Sequence, residues 1–188
     1  MLLSMTKLDA INTILSSIGS DPVNTLDSET DVDVANALRI LEKTSRDIQR
    51  KGWDFNTAEY TFSPDVLTKK ILWDDSIISF KSTDSNTYAK RGLYLYDATN
   101  KTFEFTANIV LKTIVALDFE DLPDCFKNYI AAKTAIAFQT RYMGDSSVSQ
   151  SLAYDMAEAY QDIVDYDLNM GSYNMLQLSN VADALTRT

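Results

Sequence analysis

The sequence predicts an α+β protein in which a four-helix bundle, with two N-terminal and two C-terminal helices, is interrupted by a small antiparallel β region. Apolar residues recur at helical spacing in the first and last thirds of the chain. Between them, apolar and polar residues alternate and β-branched and aromatic residues are frequent, as is typical of strands. Each helical stretch also ends at a glycine. The predicted parts are a helical bundle domain from 1–55 and 120–171, an inserted β region from 56–119, and a C-terminal docking tail from 172–188.

The first helix is expected to run from Thr6 to about Ile18, with Gly19 as its stop. Asp9 stands three residues after Thr6, which gives a weak capping box because aspartate reaches less far than glutamate. Only a short loop follows before the next helical stretch, so these two helices are predicted to be antiparallel neighbours.

The second helix carries the clearest pattern in the chain. Thr30 is expected to cap its amino end and Gly52 to end it in the left-handed conformation. Trp53 then falls where an apolar side chain can fold back on Ile48. One face of this helix collects the apolar or small residues Val34, Leu38, Leu41, Ser45 and Ile48.

The β region begins with alternation at Ala58, Tyr60 and Phe62, and the stretch ILWDDSIISFKS is expected to add one or two strands. A hairpin is predicted from 93–96 to 103–105, with the polar residues between them as its turn. The last strand, in NIVLKTIVALDF, is nearly continuously apolar, which predicts partial cover on both faces.

The third and fourth helices follow the β region. Pro123 is expected in the first turn of the third helix, where a missing N–H costs little, and Gly144 is expected to end it. The fourth helix is predicted to start near Ser147, with Gln150 in capping-box register, and to end at Gly171. Its apolar side is expected to contain Leu152, Met156, Ala159, Ile163 and Val164.

Composition argues against several functions. The chain has 17 basic and 27 acidic residues and a net charge of −10, which disfavours a surface that grips phosphates. No apolar run approaches the length of a membrane-spanning helix, and the first residues lack the pattern of a secretory signal. Cys125 is the single cysteine, so no intrachain disulfide forms and a reducing compartment is expected.

No catalytic motif is present, and we expect neither an enzyme nor a cofactor. The chain lacks histidine, the usual base for a serine or cysteine nucleophile. Cys125 stands in the first turn of a helix, which could lower its thiol pKa, although a small buried residue is the commoner case. Two acidic clusters could hold Mg²⁺ or Ca²⁺, but loop charge and helix capping are favoured. These clusters are Asp74 with Asp75, and Asp118 with Glu120, Asp121 and Asp124.

Several motifs together resemble one family. The N-terminal stretches LDAINTILSSIG and NALRILEKTSRDIQRKGWDFN are followed by YAKRGLYLYD, then by DLPDCFKNYI, then by GSYNML near the end. Their order and spacing are similar to those of the tail tubular protein A family of short-tailed phages (podoviruses). The chain departs from the family pattern mainly between Ser63 and Asn86 and in the last ten residues.

The resemblance implies a virion structural protein of the phage tail, assembled in the host cytoplasm. Members of the family are head-to-tail adaptors, so it further implies a dodecameric ring between portal and tail nozzle. Such a ring extends the DNA channel, seats tail fibres in some relatives, and lets DNA pass without specific binding or membrane contact. The alternatives are an acidic DNA mimic that inhibits a nucleic-acid-binding protein and, more distantly, a carboxylate-metal hydrolase.

Three sets of residues are candidates for contacts in such an assembly. The first set lies in the tail, which is either a frayed terminus or, as we favour, a segment that docks on the portal or a neighbouring subunit. It contains Tyr173, Asn174, Met175, Leu176 and Leu178. The second, expected on the nozzle or fibre side, contains Arg91, Tyr94 and Tyr96. The third is an acidic stripe on the fourth helix, formed by Asp155, Glu158, Asp162 and Asp165. No lysine or arginine stands between Arg141 and Arg187, so this stripe is either a solvated face or the lining of a DNA passage.

Overall fold

The predicted fold class is confirmed in the computed structural model, which describes residues 4–26 and 31–170. These residues contain four α-helices, with antiparallel sheets between the second and the third. The helices are α1 (Lys7–Ser16), α2 (Val32–Gln49), α3 (Asp124–Tyr142) and α4 (Ser146–Met170). The strands are β1 (Thr57–Phe62), β2 (Ile77–Ser82), β3 (Tyr88–Arg91), β4 (Tyr94–Asp97) and β5 (Ile109–Val115).

The chain divides into two compact units. The helical unit contains the described residues up to Ser45 and from Phe119 onward. The sheet unit is Arg46–Asp118 and therefore includes the last turn of α2 as well as all five strands.

Helix α1 starts and stops as its sequence predicts. The Thr6 hydroxyl accepts a hydrogen bond from the Asp9 N–H, and the Asp9 carboxylate accepts one from the Thr6 N–H at 3.0 Å, which completes the capping box. At the other end Gly19 has a φ of +75°, and the N–H of Ser20 reaches the carbonyl of Leu15 in a Schellman ending.

Helix α3 contributes the largest buried side chains of the helical unit. Phe126, Ile130 and Phe138 are fully covered. Helix α4 packs against α3, with the ring of Tyr166 set edge-on to that of Phe126 at 6.0 Å between centroids. The predicted apolar side of α4 is its covered side, and Ile163 is completely buried there.

Polar contacts connect the first described residues of the chain to α2 and α3. The buried ammonium of Lys127 donates to Ser4 Oγ at 2.8 Å and pairs with Asp124. Lys7, at the start of α1, pairs with Glu42 in the second half of α2 at 3.3 Å, which fits the predicted antiparallel neighbours.

Both ends of α2 are marked by specific contacts. The Asp31 carboxylate accepts hydrogen bonds from the N–H groups of Asp33 and Val34, so Asp31 caps the helix. Thr30, the predicted cap, lies outside the described residues. Gly52 ends the helix with a φ of +75°, and the Trp53 indole folds back as predicted, donating to the Ile48 carbonyl at 2.9 Å.

The sheet unit contains a three-stranded antiparallel sheet in the order β1-β5-β2 and a separate β3-β4 hairpin. An aromatic group lies at the centre of its core, where Trp73 stacks on Phe62 and tilts against Phe80 at 4.7 Å between centroids. The buried residues around it are Ile71, Ile77, Tyr88, Leu95, Phe105, Ile109 and Leu111.

Two predictions about the strands are wrong. Residues 94–97 do form a strand, but its partner is β3, joined through a turn at Gly92 and Leu93 rather than through the polar turn after Asp97. Gly92 has a φ of +62°, which suits the first position of a type II′ turn. Strand β5 is covered mainly on one face, because Val110 and Lys112 are exposed between buried neighbours.

The predicted cap of α4 is also wrong. The Asp145 carboxylate accepts hydrogen bonds from the N–H groups of Ser147 and Val148, whereas Gln150 is exposed. Aspartate at this position is a strong N-cap, so a capping box is not required. Within the ranges 4–26 and 31–170, no helix has both the length and the apolar character needed to cross a membrane.

Candidate interaction surfaces

The three residues predicted for the nozzle or fibre side share one face of the β3-β4 hairpin. Arg91 lies opposite Tyr94 in the register, and Tyr96 lies two positions further along the same face. The Arg91 guanidinium stacks on the Tyr96 ring at 3.7 Å from its centroid. Leu95 points the other way and is completely buried. The hairpin therefore carries an aromatic and cationic face on which Arg91 is exposed and the two tyrosines are half-buried.

Apolar residues that the sequence analysis did not single out adjoin this face. Leu93, at the hairpin turn, is 64% exposed, and Leu72, which bridges to Tyr94, is 66% exposed. Val66 and Leu67 are almost fully exposed in the preceding loop. The signal that could have found the last pair is an apolar dipeptide directly after Ser63-Pro64-Asp65, which are residues typical of a turn.

That loop is held in place by Asp65. Its carboxylate accepts hydrogen bonds from the N–H and hydroxyl of Thr68 and from the N–H of Leu67. These hydrogen bonds lower the pKa of Asp65, and the two from Thr68 have the largest effect. The two exposed apolar side chains are thus carried on a structured turn.

The acidic stripe is exposed along its whole length. Asp155, Glu158, Asp162 and Asp165 all face solvent on α4, and the Gln161 amide donates a hydrogen bond to Asp165 at 3.1 Å. No base stands in the helix itself to offset their repulsion. The structure brings these four carboxylates together as the helical spacing predicts.

A second group of exposed apolar residues lies in the helical unit, at the end of α3 and along α4. Tyr154, for example, is 69% exposed. The group, which we call the α4 apolar group, contains Tyr142, Met143, Val148, Tyr154, Leu168 and Met170. The members of this group are spread from the end of α3 to the end of α4, and they offer apolar side chains that another chain could contact.

Several members of the acidic clusters considered as metal sites make other contacts. Asp74 accepts a hydrogen bond from the Ser76 N–H at 2.8 Å, and Asp75 pairs with Lys90. Glu120 accepts a hydrogen bond from the Lys7 N–H at 2.9 Å, close to the cap of α1. Among the described residues, no group of three or more potential ligands is suitably placed for a metal ion.

Cys125 lies at the start of α3 and is partly buried. Burial is the main reason that its thiol pKa is raised, and the nearby Asp162 and Asp124 carboxylates act in the same direction. The helix N-terminus does not overcome these effects, so the thiol stays protonated at neutral pH. The remaining candidates, Tyr173, Asn174, Met175, Leu176 and Leu178, lie outside the described residues.

Each compact unit has exposed apolar residues, and the helical unit also carries an acidic stripe without bases; these features are compatible with a protein that works by contact with other chains. The sequence model of a family described as "Tail tubular protein" matches residues 8–173. A relative named "Tail tubular protein A", from Klebsiella phage KP34, is 30% identical over 162 residues, covering 85% of each chain. The chain belongs to the tail tubular protein A family and is a structural, non-enzymatic component of the phage virion tail.

Proposed function

We propose that this tail protein is a head-to-tail adaptor that forms a ring of twelve copies between the portal and the tail nozzle. The observation that carries the proposal is the presence of separate exposed apolar sets in the two compact units, one around Leu72 and Leu93 and the other on α4. A closed ring needs heterologous contacts, in which one patch of a subunit meets a different patch of the next. Further partners above and below the ring need additional surfaces.

The two units take different partners in this proposal. The bundle domain, 1–55 with 120–171, faces the portal and the neighbouring subunits, and the α4 apolar group supports that assignment. The β region, 56–119, meets the nozzle or tail fibres through the face of Arg91, Tyr94 and Tyr96. The tail, 172–188, docks on the portal or a neighbour through Tyr173, Asn174, Met175, Leu176 and Leu178.

The acidic stripe lines the DNA channel in this proposal. Four exposed carboxylates on one helix, without a base in that helix, repel phosphate. Repulsion keeps the genome sliding rather than adsorbed during ejection. The DNA-mimic alternative loses its support, because family membership accounts for the motifs that it left unexplained.

The experiment that tests this assignment removes residues 172–188 and images the product bound to portal rings of the same virus by electron microscopy. We expect the full chain to add a ring-shaped layer and the truncated chain to add none while remaining folded by circular dichroism. A truncated chain that still adds the layer would remove the docking role of the tail. A full chain that adds no layer would contradict the adaptor function.

A further inference from the structure

A cleft of about 330 Å³ opens on the sheet unit beside the exit of α2. Its walls come from the helix exit and from all three strands of the β1-β5-β2 sheet. The lining residues are Lys51, Gly52, Thr57, Ser79, Phe80, Lys81, Lys112 and Ile114. We call it the lysine cleft.

The charge of the cleft is opposite to that of the chain. Three lysines line it and no acidic residue among the described ones does, although the chain carries a net charge of −10. Lys81 and Lys112 stand directly opposite each other across β2 and β5, a like-charge arrangement that destabilises strand pairing. Neither forms an ion pair with any residue in the described part of the chain. An anion between them would relieve this repulsion.

The cleft also contains an unused hydrogen-bonding group. Thr57 Oγ1 is buried and has no hydrogen-bond partner. Such a group costs free energy unless a partner is supplied, and a hydroxyl can donate to an oxyanion. Glycine at position 52 lets the exit of α2 approach this hydroxyl closely, because a Cβ there would lie 3.4 Å from Thr57 Oγ1 and 2.7 Å from Ile114 Cδ1.

We propose that the lysine cleft binds a carboxylate carried by a protein segment of another tail chain. Lys81 and Lys112 supply the charge and Thr57 donates a hydrogen bond to the same group. An acidic protein segment fits the cleft better than nucleic acid does. Binding of a DNA duplex uses many lysines and arginines along an extended surface, whereas the lysine cleft is small and concave. Glu59 stands opposite Lys112 on β1 but is not among the residues that line the cleft. All lining residues belong to the sheet unit, so this binding site does not depend on the proposed ring.

The test uses the full chain at low ionic strength and a peptide of four glutamates as the probe. Backbone amide and Ile methyl NMR signals report binding, and we expect saturable shifts at Gly52, Lys112 and Ile114. The double variant Lys81→Glu/Lys112→Glu should lower the affinity for the peptide by at least about tenfold, because two charge-assisted contacts are lost. The control Lys69→Glu/Lys101→Glu makes the same charge change at two exposed sites outside the cleft and should bind as the unaltered chain does.

A second variant separates binding from folding. Thr57→Val keeps the shape of the side chain and removes the unpaired hydroxyl. It should therefore lower the affinity for the peptide, while the stability of the fold stays the same or rises. Absence of saturable shifts, or equal binding by both double variants, would overturn the proposal. Tighter binding of inorganic phosphate or of a short DNA duplex at the same signals would equally overturn it, by assigning the cleft to free phosphate or to nucleic acid.

Discussion

The side-chain amide of Gln49 satisfies both backbone hydrogen-bonding groups of Leu117. Its Oε1 accepts from the Leu117 N–H at 2.7 Å, and its Nε2 donates to the Leu117 carbonyl at 3.0 Å. Asn56, also buried, donates to the carbonyls of Gln49 and Val115. Two buried amides therefore join the end of α2 to the end of β5 inside the sheet unit.

Replacing Gln49 by alanine should lower the free energy of unfolding of the sheet unit by about 2–4 kcal/mol. Two partly buried backbone groups would lose their partners, and each such loss costs about 1–3 kcal/mol before relaxation. Urea denaturation, followed by tryptophan fluorescence, measures this free energy of unfolding, because Trp53 and Trp73 both lie in the sheet unit. The control Gln150→Ala removes the same side chain from an exposed helical position and should change stability little; equal losses would contradict the role of Gln49.

Replacing Gly52 by alanine should destabilise the sheet unit more than replacing Gly92. Both glycines have positive φ, so both variants carry the left-handed strain of about 1–2 kcal/mol. Only at position 52 would the new Cβ meet a neighbour, Ile114 Cδ1 at 2.7 Å, whereas none lies within 4 Å at position 92. We expect an extra loss of about 1 kcal/mol, since a flexible side chain can partly move away. Equal urea midpoints for the two variants would show that the close approach of residue 52 to Ile114 does not affect stability.

How well the sequence predicted each feature depended on whether its cause was local. The stop at Gly52 and the fold-back of Trp53 follow from neighbours within five residues, and both are confirmed. The hairpin partner of Tyr94 was mispredicted because the glycine turn at Gly92 outweighs the polar residues after Asp97. The cleft and the Gln49–Leu117 contact join residues far apart in the chain, so no periodicity reveals them.

The capping carboxylate of Asp145 should have a pKa below its ordinary value of 3.8. The hydrogen bond from the Ser147 hydroxyl is the first cause, followed by the N–H groups of Ser147 and Val148. Because the folded pKa lies below the unfolded one, the contribution of Asp145 to stability is present above the unfolded pKa. It is lost as pH falls through the folded pKa.

Carboxyl-carbon NMR titration of the folded chain measures this value directly. The variant Ser147→Ala should move the pKa of Asp145 upward and leave that of Asp9 in place, because Asp9 is lowered by its own contacts with Thr6. An unchanged pKa of Asp145 in this variant would contradict the assigned cause.

Neutralising the acidic stripe should leave the chain folded and impair DNA ejection. The changes Asp155→Asn, Glu158→Gln, Asp162→Asn and Asp165→Asn remove like-charge repulsion of a few tenths of a kcal/mol per pair, about 0.2–0.5, so stability should hold or rise slightly. Complementation of a phage lacking this gene measures infectivity, and dye release from virions measures ejection.

The matched control neutralises four exposed carboxylates elsewhere, at Asp21, Glu104, Asp118 and Asp121. It should support normal infection. Normal ejection by virions carrying the neutralised stripe would remove the channel-lining assignment while leaving the adaptor function open to its own test.

Replacing Arg91 should weaken binding to the nozzle far more than it affects folding. Loss of its stack on the Tyr96 ring costs about 0.5–1 kcal/mol at an exposed site, so the hairpin should remain intact. Arg91→Ala and Arg91→Lys distinguish charge from planar stacking, since lysine keeps the charge alone. Binding to immobilised nozzle protein of the same virus is the measurement; unchanged affinity of both variants would exclude this face from the nozzle contact.

The most direct test of the adaptor function is the native mass of the purified chain of 21.1 kDa, measured alone and after mixing with the portal ring of the same virus. The proposal predicts a mass gain equal to one ring of chains per portal, whether or not the free chain is monomeric. Absence of association at every salt concentration tested would contradict it.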